Sequence, residues 1–109
     1  MSPLDFHVLL VLANEDLYGY AIMKRVDEQA AGAVRVEIGT LYRVLSRLMD
    51  AGLVGEADAP AGAPASHRGL PRKYYAITQR GADAVRDEAR RLERVVRLAR
   101  DLLPDMSAS

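Results

Sequence analysis

The stretch from Ala82 to Leu103 constrains this chain more than any other. Ala82, Val85, Ala89, Leu92, Val96, Ala99 and Leu103 recur at alternating steps of three and four residues. That spacing is an apolar stripe along one side of a helix. Val95, Leu98 and Leu102 add a second stripe in the C-terminal half. Thr78 can start this helix and Pro104 must stop it, so one long helix is predicted from Thr78 to about Leu103. So broad an apolar face needs more cover than one small domain supplies. The chain has 109 residues, half of them hydrophobic, and a chain of this size buries only about 60–70% of its surface on folding. The surplus predicts a homodimer, with residues 79–104 as the dimerisation helix. Residues 105–109 read as a disordered tail.

The rest of the chain reads as short elements. Ser2-Pro3-Leu4-Asp5 has a capping serine, a first-turn proline and an acid at the positive end of the dipole. It opens a helix over about Pro3–Asn14 that is apolar on most faces and so is buried on more than one side. Leu17-Tyr18-Gly19-Tyr20 opens a second helix to about Ala31, with Gly32 as its stop. Val34-Arg35-Val36 alternates and predicts a small strand. Ile38 to Ala51 predicts a third helix closed by Gly52. Leu53–Ala57 and Lys73–Ile77 predict strands, separated by an Ala-, Pro- and Gly-rich flexible loop over Ala59–Gly69. A two-stranded hairpin after the third helix of a helical cluster is the winged-helix arrangement. The expected fold class is therefore mainly α with a small β-hairpin: a winged helix-turn-helix over residues 1–78, followed by the long helix.

The third helix divides cleanly when its residues are placed about 100° apart. Ile38, Leu41, Val44, Leu45, Leu48 and Ala51 share one side. Gly39, Thr40, Arg43, Ser46, Arg47 and Asp50 share the other, with Tyr42 at the boundary. The second face suits a DNA major groove. Thr40 and Ser46 can bond phosphates or base edges, and Arg43 and Arg47 can each clamp guanine or phosphate. Gly39 lets a phosphate approach the helix N-terminus. Any amphipathic helix also has a solvated polar face, so the hairpin carries weight. It places Arg72 and Lys73 at the base of the loop, with His67 and Arg68 inside it. A cationic wing beside a reading helix is a phosphate clamp. The same face could instead meet acidic groups on a protein partner. A dimer that binds duplex DNA through two such helices, about 34 Å apart, requires a near-palindromic operator.

Charge and composition narrow the remaining classes. The formal net charge is zero, which alone leans against nucleic acid, but its layout does not. Ala59 to Ala82 holds no acid and includes Arg68, Arg72, Lys73 and Arg80, while Glu15, Asp16, Asp27 and Glu28 gather elsewhere. Cysteine is absent, which removes disulfides, thiolate metal sites and cysteine nucleophiles and suits a cytoplasmic setting. The only histidines are His7 and His67, and no nucleophile elbow, zinc-protease motif or phosphate loop occurs. No enzyme, metal or cofactor is expected. No apolar run reaches the ~20 residues needed to span a membrane, and the first residues do not read as an export signal. Apolar surface between the last helix, the first helix and their partner copies could admit a small effector, with Phe6, Leu92 and Val96 as lining residues.

Three blocks carry a family resemblance. Leu17-Tyr18-Gly19-Tyr20-Ala21-Ile22 resembles the opening of the second helix in PadR-family regulators. Gly39-Thr40-Leu41-Tyr42-Arg43-Val44-Leu45-Ser46-Arg47-Leu48, with Ala51-Gly52-Leu53-Val54, resembles that family's recognition helix and exit. Arg72-Lys73-Tyr74-Tyr75-Ala76-Ile77-Thr78-Gln79-Arg80-Gly81 resembles its strand and turn. The chain is similar to the short members with a single C-terminal helix. The resemblance implies a homodimeric regulator of operator DNA, a repressor released by a small, often aromatic, molecule. It also implies that Tyr18, the Gly39–Arg47 face and the basic wing residues touch DNA. The loop over Asp58–Gly69 is longer than the family's usual wing. The chain also lacks tryptophan, against which some short members hold flat ligands.

Overall fold

The computed structural model describes residues 1–63, 66–67, 70–103 and 105. Among the described residues, four helices and five short strands follow in the order α1 (Pro3–Asn14), β1 (Leu17–Tyr18), α2 (Gly19–Gln29), α3 (Ile38–Asp50), β2 (Val54–Ala57), β3 (Ser66–His67), β4 (Leu70–Pro71), β5 (Tyr74–Ile77) and α4 (Gln79–Leu102). This is a winged helix-turn-helix with a long C-terminal helix. The tail expected at 105–109 falls, apart from Asp105, outside the described residues.

Helix boundaries follow local chemistry. The Ser2 hydroxyl caps α1 by accepting from the Asp5 amide at 3.1 Å. Gly52, at φ +77°, takes the left-handed conformation that turns the chain out of α3. Thr78 then does two things. Its hydroxyl accepts from the Gly81 amide at 3.0 Å, capping α4, and donates to the Gly52 carbonyl at 2.6 Å. The start of α4 is thereby tied to the exit of α3.

The core lies where α1, α2 and α3 meet the sheet. Val8, Leu9, Leu12, Ile22, Val26, Leu41, Leu45 and Leu48 are almost wholly buried, and Val54 and Tyr75 close it from β2 and β5. Burying each such side chain contributes roughly 1.5–3 kcal/mol. Helix α4 joins this core only near its start, where Gly81 is buried and Val85 packs against the cluster. Further along, Leu92, Val95, Val96, Leu98 and Leu102 are exposed on the isolated chain.

The sheet differs from the sequence expectation in its third strand. β5 is central, with β2 on one edge and β1 on the other, both antiparallel. Val34-Arg35-Val36 forms no strand. Val34 and Val36 reach the core from irregular backbone while Arg35 faces solvent, so the alternation is satisfied without a pairing partner. Leu17–Tyr18, read as the opening of the second helix, pairs with Tyr75 and Tyr74 instead. One strand of a small hairpin, β3, falls within the loop expected to be flexible, and its partner β4 follows just beyond it.

Candidate nucleic-acid interface

The apolar side of α3 is fixed in the core through Leu41, Val44, Leu45 and Leu48. Its other face is thereby turned outward as a matter of helical period. Gly39, Tyr42, Arg43, Ser46 and Arg47 are exposed there, and Thr40 is half-buried. Arg43 donates from Nη2 to Thr40 Oγ1 at 3.0 Å, one helical turn back. This exposed bond stiffens the pair while leaving most guanidinium donors open.

Arg47 is held differently. It donates from Nη1 and Nη2 to the two carboxylate oxygens of Asp5, at 2.8 and 2.7 Å. The Asp5 side chain is only 8% exposed, whereas that of Arg47 is 58% exposed. The Arg47 hydrogen bonds hold the Asp5 carboxyl below its ordinary value, against burial, which pushes the other way. Composition gave one warning of this pair: Asp5 is the one acid in an otherwise apolar first helix, and a buried carboxylate requires a cation. From sequence alone, Asp5 is accounted for only as a partner of the helix dipole.

Tyr18 and the wing base meet at one corner. The Arg72 guanidinium carbon stands 4.0 Å from the centre of the Tyr18 ring, within cation–π range. Tyr18 also meets Tyr74 edge to face, with centroids 5.6 Å apart. Lys73 reaches Glu56 across the sheet at 3.2 Å, an exposed pair that salt screens. The Glu56 hydrogen bond, and then its charge, raise the Lys73 pKa, so the ammonium stays charged. Burial pushes the Tyr75 hydroxyl above its ordinary value. His67 lies on β3 of the small hairpin, and Arg68 lies outside the described residues.

Two further residues shape this face and were not singled out from sequence. Gly19 packs against Tyr42 so closely that a Cβ there would stand 2.6 Å from the tyrosine hydroxyl oxygen. Tyr20 is half-exposed beside a groove of about 940 Å³ that also takes in Tyr18, Lys24 and Arg35. Their signals were weak: a glycine at a helix start is common, and isolated surface cations are the rule.

The three expected effector residues do come together. Phe6, Leu92 and Val96 line a groove of about 460 Å³ between α1 and α4, rimmed by Glu93, Arg97 and Arg100. Among the described residues, no group of three His, Asp or Glu could hold a metal ion, and no helix is long and apolar enough to cross a membrane.

Comparison with known proteins places this geometry. The fold is similar to that of a PadR-family transcription regulator from Clostridium difficile, with a TM-score of 0.75 and 24% identity over 94% of this chain and 99% of that one. It is similar to a PadR-like transcriptional regulator from Bacillus cereus, with a TM-score of 0.73 and 24% identity over 92% and 90%. It is also similar to Bacillus subtilis PadR, solved in complex with operator DNA, with a TM-score of 0.68 and 22% identity over 82% of this chain and 48% of that one. No curated relative matches. At these identities the likeness establishes the fold. The family model does more: that of the PadR-like transcriptional regulators matches residues 8–87, and the family consists of regulators, not enzymes. The chain belongs to the PadR-like family of transcriptional regulators.

Proposed function

We propose that this protein binds a near-palindromic operator as a homodimer and represses transcription in the cytoplasm. The carrying observation is the outward face of α3, where Gly39, Thr40, Tyr42, Arg43 and Ser46 stand clear of the core. Tyr18 precedes Gly19, which packs against Tyr42 on this face, and Arg72 stands over the Tyr18 ring. His67 and Arg68, which the sequence puts in the wing loop, are proposed as further phosphate contacts. Backbone phosphates attract the cations, and base edges in the major groove receive Arg43, Thr40 and Ser46. Bacillus subtilis PadR, solved with operator DNA, supports the same use of the fold here.

Dimerisation rests on α4. Leu98 and Leu102 are 57% and 69% exposed on the isolated chain, more apolar surface than water favours on one helix. A second copy covers it and places two reading helices about 34 Å apart. The domain division is then residues 1–78 for DNA and 79–104 for assembly. A small aromatic effector fits the groove of Phe6, Leu92 and Val96 and releases the operator by shifting α4 against α1.

Titration of the protein's own upstream DNA at two salt concentrations tests this reading. Affinity falls steeply as salt rises, and Arg43→Ala costs roughly 1–3 kcal/mol. Affinity that ignores both salt and the joint loss of Arg43 and Lys73 would instead favour a surface for acidic protein partners.

A further inference from the structure

The bidentate pair between Asp5 and Arg47 joins a buried acid to the outward face of α3, and the DNA-binding reading does not by itself need it. We propose that Asp5 is a specificity-determining positioning residue, which holds Arg47 as a charge-neutralised hydrogen-bond donor on the reading face. The inference rests on operator binding by α3.

The geometry carries it in three steps. First, the two bonds to Asp5, at 2.8 and 2.7 Å, use one N–H on Nη1 and one on Nη2. A guanidinium has five N–H donors, so three remain: the Nε–H and one on each terminal nitrogen. The side chain that carries them is more than half exposed. Second, Arg47 cannot leave Asp5 without abandoning a carboxylate that is 8% exposed, so a passing phosphate does not recruit it. Third, the carboxylate is itself fixed. Asp5 stands in the first turn of α1, where Ser2 receives its amide.

An arginine held this way differs from a free one. A free surface arginine is drawn to any phosphate and adds affinity for every sequence. Arg47 with Asp5 at its back has little net charge, and much of its side-chain freedom is already lost. Its remaining donors favour a matching base edge and gain little from phosphate alone. Asp5 therefore trades general affinity for discrimination, and it acts only through Arg47.

The test compares the upstream operator duplex with a scrambled duplex of the same length, each across a range of salt. Asp5→Asn keeps the shape and removes the charge. It should bind the scrambled duplex several-fold more tightly, steepen the salt slope by about one, and lower the operator-to-scrambled ratio about fivefold or more. Asp5→Glu restores the charge and should restore the shallow slope. Equal loss of affinity for both duplexes at unchanged slope would reduce Asp5 to a structural strut and overturn the proposal. So would equal gain for both. If Asp5→Asn does not fold, the double variant Asp5→Asn, Arg47→Met removes both charges together. It should keep the wild-type slope and lose discrimination, and a retained wild-type ratio overturns the proposal. A wild-type chain that binds neither duplex sinks the DNA-binding reading as well, whereas the other adverse outcomes sink this inference alone.

Discussion

Arg72 stands over Tyr18, its guanidinium carbon 4.0 Å from the ring centre, and this contact joins the base of the wing to the strand that precedes α2. Tyr74 meets the same ring edge to face. Both contacts use the ring and neither uses the hydroxyl. Tyr18→Phe should therefore change folding stability by less than about 0.5 kcal/mol. Tyr18→Leu should cost about 1–3 kcal/mol, the sum of a cation–π and an aromatic contact. Urea denaturation of the two variants checks the difference, and equal losses would show that the hydroxyl matters instead.

Two glycines at helix starts should respond differently to alanine. In a helix, Gly→Ala ordinarily gains up to about 1 kcal/mol. At Gly81 a Cβ would collide with the Leu53 carbonyl oxygen and stand 2.7 Å from Ile77 Cγ1. Backbone cannot yield cheaply, so Gly81→Ala should lose more than about 2 kcal/mol of stability. At Gly19 the obstacle is the far end of Tyr42. Gly19→Ala should fold with little loss but turn Tyr42 aside, weakening operator binding by about 1 kcal/mol, roughly fivefold. Thermal melts and DNA titration separate the two effects.

Acid should weaken the fold through Asp5. Its carboxyl is held below its ordinary value chiefly by the Arg47 hydrogen bonds. A depressed folded pKa stabilises the native state above the unfolded carboxyl's pKa, about 3.9. That contribution is lost as pH falls through the lower folded value. Wild type should therefore lose stability below about pH 4, and Asp5→Asn should show a shallower loss over the same window. Parallel acid-denaturation curves would contradict the assignment.

The exposed end of α4 yields a test of assembly. Leu98 and Leu102 lie outside the core cluster, so Leu98→Asp with Leu102→Asp should leave the fold intact. Sedimentation should show the parent as a dimer and the variant as a monomer. A variant that remains dimeric would move the interface elsewhere.

Much of this molecule was legible in the sequence because its signals are local. The period of Leu41, Val44, Leu45 and Leu48, with Gly52 as stop, marked α3 to within a residue of its observed end. Thr78 caps α4, as its place just ahead of the apolar stripe predicts. Phe6, Leu92 and Val96, grouped by the surplus of apolar surface on the first and last helices, line one groove. What escaped was non-local or too short. Leu17–Tyr18 has two residues, too few to show alternation, and its strand character comes from pairing with Tyr74 and Tyr75. The Asp5–Arg47 contact joins residues 42 positions apart. Sequence assigned Arg47 to the reading face by angle, and only tertiary structure revealed its partner.

The burial of Asp5 also bears on how this regulator can change over generations. A mutation that removes Arg47 alone strands a carboxylate inside the protein, and one that removes Asp5 alone frees a cation. Each single step breaks a pair that has one buried member, so a change at position 5 or 47 costs less when both change together. Thr40, Arg43 and Ser46 carry no such tie: Arg43 bonds the Thr40 hydroxyl in an exposed pair and Ser46 is exposed, so each can be replaced alone without stranding a buried charge.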